Sequence, residues 1–198
     1  MFERKDHFYR KAKKEGHLSR AIYKLEESQK KFKILKRGDA VLELGSAPGG
    51  WLQFLAEIVG PQGCIVGVDR LPLAFQPPKQ VIFFQKKFEE IRAEDLPTQK
   101  FTVILSDLSP DLSGITLTDQ QRSFELAHLV WEWTQKFLKP NGHLVLKIFP
   151  GEEADRFTRE LKKSFQRFIR FVPEATRKSS SEVYFVALNF QPQIDSRK

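Results

Sequence analysis

Cysteine is almost missing from this chain. Cys64 stands alone among 198 residues, so no disulfide can form within the chain, and a metal site built on cysteines has no material. Long apolar runs are missing too. No stretch approaches the roughly 20 residues that a membrane-crossing helix needs. The opening MFERKDHFYRKAKKEG is charged throughout and lacks the apolar stretch of a signal peptide. A cytoplasmic protein with no membrane association is therefore expected. The four histidines, His7, His17, His128 and His143, show no ligand spacing, so no metal is expected. Internal repeats and long linkers are also absent. What is present is ordinary globular material: 40% apolar residues in a length that suits one domain with a full core. The expectation is a single domain over 1–198, monomeric by default.

Charge is unevenly spread. The net charge is +8. Residues 1–37 hold 13 Lys/Arg against 5 Asp/Glu, whereas 38–198 hold 20 of each. The whole excess sits in one N-terminal arm, a footprint suited to a polyanion such as RNA. A solubilising tail is the plainer alternative. Lys5, Arg10, Lys11, Lys13, Lys14 and Arg20 are its candidate phosphate contacts. A second basic stretch follows at 156–178, with Arg156, Arg159, Lys162, Lys163, Arg167, Arg170, Arg177 and Lys178.

The arm predicts a helix over about 18–32, with Ala21, Ile22 and Leu25 at helical spacing. Lys36-Arg37-Gly38-Asp39 reads as a turn. Beyond it, short apolar runs alternate with helical segments. The runs at 40–44, 64–69, 81–84, 101–107 and 143–149 read as buried strands, and strands near 167–171 and 183–190 close the chain. Helices fall near 51–59, 119–138 and 152–165. This alternation implies an α/β, Rossmann-like fold with a mostly parallel sheet and helices on both faces. In such sheets the ligand site lies beyond the carboxyl ends of the strands.

At the end of the first strand stands Glu43-Leu44-Gly45-Ser46-Ala47-Pro48-Gly49-Gly50-Trp51, followed by a helix. A phosphate-binding P-loop would need Gly-Lys-Ser/Thr, and a dinucleotide fingerprint would need G-x-G-x-x-G; neither is present. Asp69 ends the second strand, 24 positions after Gly45. A carboxylate there can accept hydrogen bonds from both ribose hydroxyls of an adenosine. Glycine loop and acid together suit a nucleoside ligand without a pyrophosphate, and S-adenosylmethionine is such a ligand. An ordinary strand–helix turn is the bland alternative. A nicotinamide-dependent oxidoreductase becomes remote.

Three polar residues sit where apolar ones would be easier. Asp107 ends the fourth strand. Lys147 interrupts Leu144-Val145-Leu146-Lys147-Ile148-Phe149, and a buried lysine is costly unless paired. Glu182 begins the last strand. If that strand runs antiparallel, all three converge beside the glycine loop. A structural salt-bridge cluster is an equal alternative on these residues alone.

The sequence resembles the FtsJ/RrmJ family of RNA 2′-O-ribose methyltransferases over about residues 6–190. The resemblance rests on Ser19-Arg20-Ala21-Ile22-Tyr23-Lys24-Leu25, Leu44-Gly45-Ser46-Ala47-Pro48-Gly49-Gly50-Trp51, Ser106-Asp107-Leu108-Ser109-Pro110, Val145-Leu146-Lys147-Ile148-Phe149 and Ser181-Glu182-Val183-Tyr184. It implies a seven-stranded, mostly parallel sheet with an antiparallel last strand. It also implies S-adenosyl-L-methionine as cofactor and a uridine ribose of large-subunit ribosomal RNA as target. The family's catalytic Lys-Asp-Lys-Glu set falls on Lys24, Asp107, Lys147 and Glu182. Its cofactor residues fall on Gly45, Gly49, Trp51, Asp69 and Asp107. Lys147 would be the general base, aided by burial and the nearby cation Lys24, both of which favour a neutral amine. Glu182 would position Lys24 or the ribose. One position departs from the family: Lys87 stands where an Asp usually accepts a hydrogen bond from the adenine amino group, and an ammonium cannot accept. Transfer RNA, another RNA, or RNA binding without catalysis remain the alternatives. The absence of appended domains favours ribosomal RNA.

Overall fold

The computed structural model describes residues 7–177 and 180–192. Lys5 and Lys178 lie outside them. Seven strands form one sheet in the order β3-β2-β1-β4-β5-β7-β6. In chain order they are β1 (Ala40–Leu44), β2 (Cys64–Asp69), β3 (Val81–Gln85), β4 (Phe101–Ser106), β5 (Leu138–Ile148), β6 (Phe165–Phe171) and β7 (Val183–Phe190). The first five run parallel, while β7 is antiparallel to both β5 and β6. The chain builds outward from β1 to β3, then returns to place β4 on the other side of β1. That reversal opens a crevice over the carboxyl ends of β1 and β4.

Five α-helices cover the sheet: α1 (His7–Lys14), α2 (Ile22–Phe32), α3 (Gly50–Val59), α4 (Thr116–Phe137) and α5 (Glu152–Ser164). Alternating strand residues feed two cores. Val41, Val145 and Tyr184 pack with Leu25, Trp51 and Leu55 on the α2–α3 side. Leu42, Leu144 and Phe185 pack with Trp131, Phe157 and Leu161 on the α4–α5 side. With both faces covered, the strands are near-continuous apolar runs, which is why they are legible in the sequence.

The arm differs from expectation. It holds two helices, and the second begins at Ile22 rather than near 18. Residues 18–21 form a bend held from outside: Gln53 Oε1 accepts from the Leu18 amide at 3.2 Å, and the Trp51 indole donates to the Ala21 carbonyl at 2.7 Å. These tertiary bonds fix the path of the chain into α2. α1 buries only Ala12, too little to show as a periodic pattern. β5 also begins earlier than expected, at Leu138. Asn141 has a left-handed φ of 61°, and the pairing with β4 shifts register between Phe101 and Val103. Lys139-Pro140-Asn141-Gly142 therefore reads as a turn although strand pairing spans it.

Candidate active site

The glycine loop after β1 packs backbone against backbone. Gly45 has φ +84°, and a Cβ there would meet the Leu108 amide nitrogen at 2.9 Å. Only glycine allows the loops after β1 and β4 to lie this close. Asp107 follows the end of β4, and its amide donates to the Leu44 carbonyl at 3.0 Å. Asp69 is held as firmly. Its Oδ2 accepts from the Ala47 amide at 2.8 Å and its Oδ1 from the Leu71 amide at 2.9 Å. Each oxygen keeps a lone pair for a further donor.

A cavity of about 440 Å³ opens here, lined by Gly45, Asp69, Lys87, Glu89 and Asp107 among others. Of the residues expected at the cofactor, Gly45, Asp69 and Asp107 line it; Gly49 and Trp51 do not. Gly49 caps α3 at φ 113° and faces Phe75. Trp51 is buried and ties α3 to the arm. Lys87 is on the cavity wall, as its position after β3 implies, and the nearby Glu89 brings a carboxylate to the same wall. Arg70 bonds Asp111 at 2.8 Å, joining the segments after β2 and β4 that border the cavity.

Behind the loop, Glu43 is buried and its Oε2 has no hydrogen-bond partner. Burial, with Asp107 and Asp69 nearby, pushes its carboxyl well above the usual range. That environment favours its neutral form.

Lys24, Asp107, Lys147 and Glu182 come from four separate segments and meet in one network. Lys24 Nζ pairs with Glu182 Oε1 and donates to the Tyr184 hydroxyl at 3.2 Å. That hydroxyl donates to Asp107 Oδ1 at 2.6 Å. Lys147 Nζ lies 3.2 Å from the same oxygen and donates to the Asp107 carbonyl at 2.7 Å. Lys24 and Lys147 are only 6% and 8% exposed, so each buried cation has a carboxylate at hand.

Tyr184 is the junction, and the sequence reading did not single it out. It sits directly opposite Lys147 in the antiparallel β5–β7 register. Opposed residues of such a pair point to one face. Burial, then the Asp107 and Glu182 carboxylates, raise its phenol well above the usual value, which keeps it a donor. Burial alone would raise Asp107 as well. Lys147 and Lys24, with hydrogen bonds from Tyr184 and Lys147, outweigh that and hold its carboxyl below the usual range. Asp107 is thus an ionised hub between two lysines and a phenol. A tyrosine two residues after a strand-opening glutamate was visible in the sequence. Its pairing with Lys147 depended on register.

The fold and site together define an α/β protein with a nucleoside-sized cleft beside a buried network of two lysines, two acids and a tyrosine. Residues 17–190 match the FtsJ-like methyltransferase family, and the chain belongs to it. Similar proteins include two called ribosomal RNA large subunit methyltransferase E. The one from Syntrophobacter fumaroxidans is 40% identical over 94% of this chain and 96% of its own. The one from Bdellovibrio bacteriovorus is 37% identical over 93% of this chain and 96% of its own. A structure from Plasmodium falciparum, provisionally described as a ribosomal RNA methyltransferase, superposes with TM-score 0.74 at 26% identity, covering 88% of this chain and 99% of its own.

Proposed function

We propose that this protein methylates a ribose 2′-hydroxyl of large-subunit ribosomal RNA, at a uridine, using S-adenosyl-L-methionine. The carrying observation is the network itself: four polar side chains from distant segments, joined through Tyr184, beside a cleft fit for a nucleoside. The cleft residues fit the cofactor. Gly45 leaves the backbone bare, Asp69 has lone pairs free for ribose hydroxyls, and Glu89 offers a carboxylate acceptor near Lys87. When bound, S-adenosylmethionine would supply an electrophilic methyl group.

The chain's own residues must hold the hydroxyl and remove its proton. Lys147 is the proposed base. A neutral amine has two N–H donors and one lone pair; the two contacts to Asp107 would engage the donors and leave the lone pair for the substrate hydroxyl. The proton would pass from the 2′-oxygen to Nζ, with Asp107 holding the amine in place. General-base action of this kind contributes about 10²–10⁴-fold, and positioning adds more. Lys24 would keep Glu182 and the Tyr184 hydroxyl oriented toward the ribose.

The RNA would lie across the carboxyl edge of the sheet. On α1, Arg10, Lys11, Lys13 and Lys14 are exposed. Arg20 and Arg177 lie near each other, and Arg20 also lies near Glu182 and Tyr184. Phosphate contacts from these groups position the substrate without reading its sequence. In this reading 1–37 is an RNA-binding arm on a single methyltransferase domain. The protein works in the cytoplasm as a monomer and needs no metal.

The test is methyl transfer from labelled S-adenosylmethionine to large ribosomal subunits lacking their own modification, with transfer RNA in parallel and mapping of the labelled nucleotide. The expected result is label on a subunit ribose, lost in Lys147→Ala while calorimetry shows cofactor binding retained. Label on transfer RNA alone would overturn the substrate. Near-normal turnover in Lys147→Ala would overturn the assignment of the base.

A further inference from the structure

The second basic stretch, 156–178, is not used up by the site. The structure divides it. Arg156 is tied to Glu152 at 2.6 Å and Glu153 at 2.8 Å, and Arg170 to Asp155 at 2.8 Å. Arg177 lies near Arg20, beside the network. Arg159, Lys162, Lys163 and Arg167 are exposed and have no ion pair among the described residues.

Arg159 and Lys163 are four residues apart on α5 and so share a face. With Arg156 they line a cavity of about 550 Å³, whose floor includes Trp131 and Phe190. Glu160 also borders it, but one of its oxygens is taken by the Trp131 indole at 2.6 Å. Arg167 is not part of this surface: on β6 it stands opposite Leu188, which packs on the α2–α3 side, so it belongs to the other face of the sheet. Complementing the carbonyl end of α5 explains Lys162 and Lys163 in its last turn. It does not explain Arg159, a turn earlier.

This surface is at the sheet edge opposite the network. Tyr184 and Phe190 are six residues apart on β7, a span of about 20 Å at the usual strand rise. The chemistry on offer is charge and N–H donors. Trp131 and Phe190 are only 2% and 3% exposed, so there is little aromatic surface for a base or an apolar peptide. Phosphate oxygens fit such a surface.

We propose that Arg159 and Lys163, with Arg156 beside them, form a second docking surface for phosphates of the RNA substrate, remote from the target nucleotide. This rests on the reading that the substrate is a large RNA. One RNA bound at both edges would be held by linked contacts, each raising the effective concentration for the other. A fragment too short to span the gap could not use the second surface.

The test compares wild type with Arg159→Gln/Lys163→Gln in filter binding to protein-free large-subunit ribosomal RNA over a salt series. Assembled subunits and a short RNA around the mapped nucleotide are run in parallel. Loss of two phosphate contacts should weaken binding to the long RNA by several-fold and lower the salt slope by about 1.5 to 2. Affinity for the short RNA and kcat on it should not change. An Arg159→Lys/Lys163→Arg variant, which keeps the charges, should bind like wild type and controls for folding. Unchanged affinity and slope on the long RNA would overturn the proposal. Loss on assembled subunits but not on protein-free RNA would overturn it too, in favour of an acidic protein surface. Methyl transfer by the wild type, measured alongside, reports separately on the catalytic reading. The binding comparison stands whatever that assay shows.

Discussion

Two sets of cations lie at opposite edges of one sheet and are held in opposite ways. At the carboxyl edge, Lys24 and Lys147 are buried, and each meets a carboxylate and at least one further polar atom. At the far edge, Arg159 and Lys163 are exposed and unpaired among the described residues. Burial compels pairing, because a charge left inside the protein without a partner is strongly destabilising. Pairing in turn locks each nitrogen in place, which proton transfer requires. Exposed cations face no such demand. They act over distance and are weakened by salt. The two edges therefore suit different work, chemistry at one and capture at the other.

The largest effect should come from breaking a buried pair. Lys24→Ala takes the paired cation from the largely buried Glu182, with Arg20 nearby as part compensation, at a cost of up to about 3 kcal/mol. Thermal melting should show the loss, and methyl transfer should fall severely. A melt close to wild type would mean that the carboxyl edge is as loosely coupled as the far one. Tyr184→Phe is milder. It removes one donor from Asp107 and one acceptor from Lys24, with an expected loss of about 1–3 kcal/mol. Its sharper signature is in pH. The folded Asp107 carboxyl titrates below its ordinary value, so its contribution to stability is present above that ordinary value and lost as pH falls through the depressed one. Without the phenol the depression shrinks, and the acid limb of both melting and turnover should move to higher pH.

Salt distinguishes buried charges from exposed ones. Raising it should weaken RNA binding steeply. The melting difference between wild type and Tyr184→Phe should barely change, because buried groups are little screened. If both respond alike, the contrast fails. The smallest effect should be Glu43→Gln. The raised carboxyl of Glu43 contributes stability that is full below the ordinary glutamate value and is lost as pH rises through its folded value. Gln cannot ionise. The variant's melting temperature should therefore improve relative to wild type as pH rises from acid to mildly alkaline, and a flat difference would mean that Glu43 is not held neutral.

Much of the site was legible in the chain. A lysine within an apolar strand, an acid at a strand end and a glycine turn with no phosphate signature each announce a cost that ordinary packing would avoid. The first arm helix, α1, was not legible, since it buries a single alanine. Nor was the early start of β5, hidden behind Lys139-Pro140-Asn141-Gly142. The family resemblance places Trp51 at the cofactor, but that its indole donates to the Ala21 carbonyl could not be read from the chain.

Local requirements account for what could be read directly: runs that must be buried on both faces, a left-handed turn that only glycine takes easily, and charges too costly to be incidental. Partnership could not be read that way. Lys24 meets Glu182 across 158 positions, and Tyr184 meets Asp107 across 77. Those meetings depend on the β5–β7 register, which sets Tyr184 opposite Lys147. A slip of one residue would turn Tyr184 to the α4–α5 side, where Phe185 now packs, and the network would have no centre. Side-chain type is written in the chain, but which face a side chain takes and whom it meets are set by pairing across the sheet.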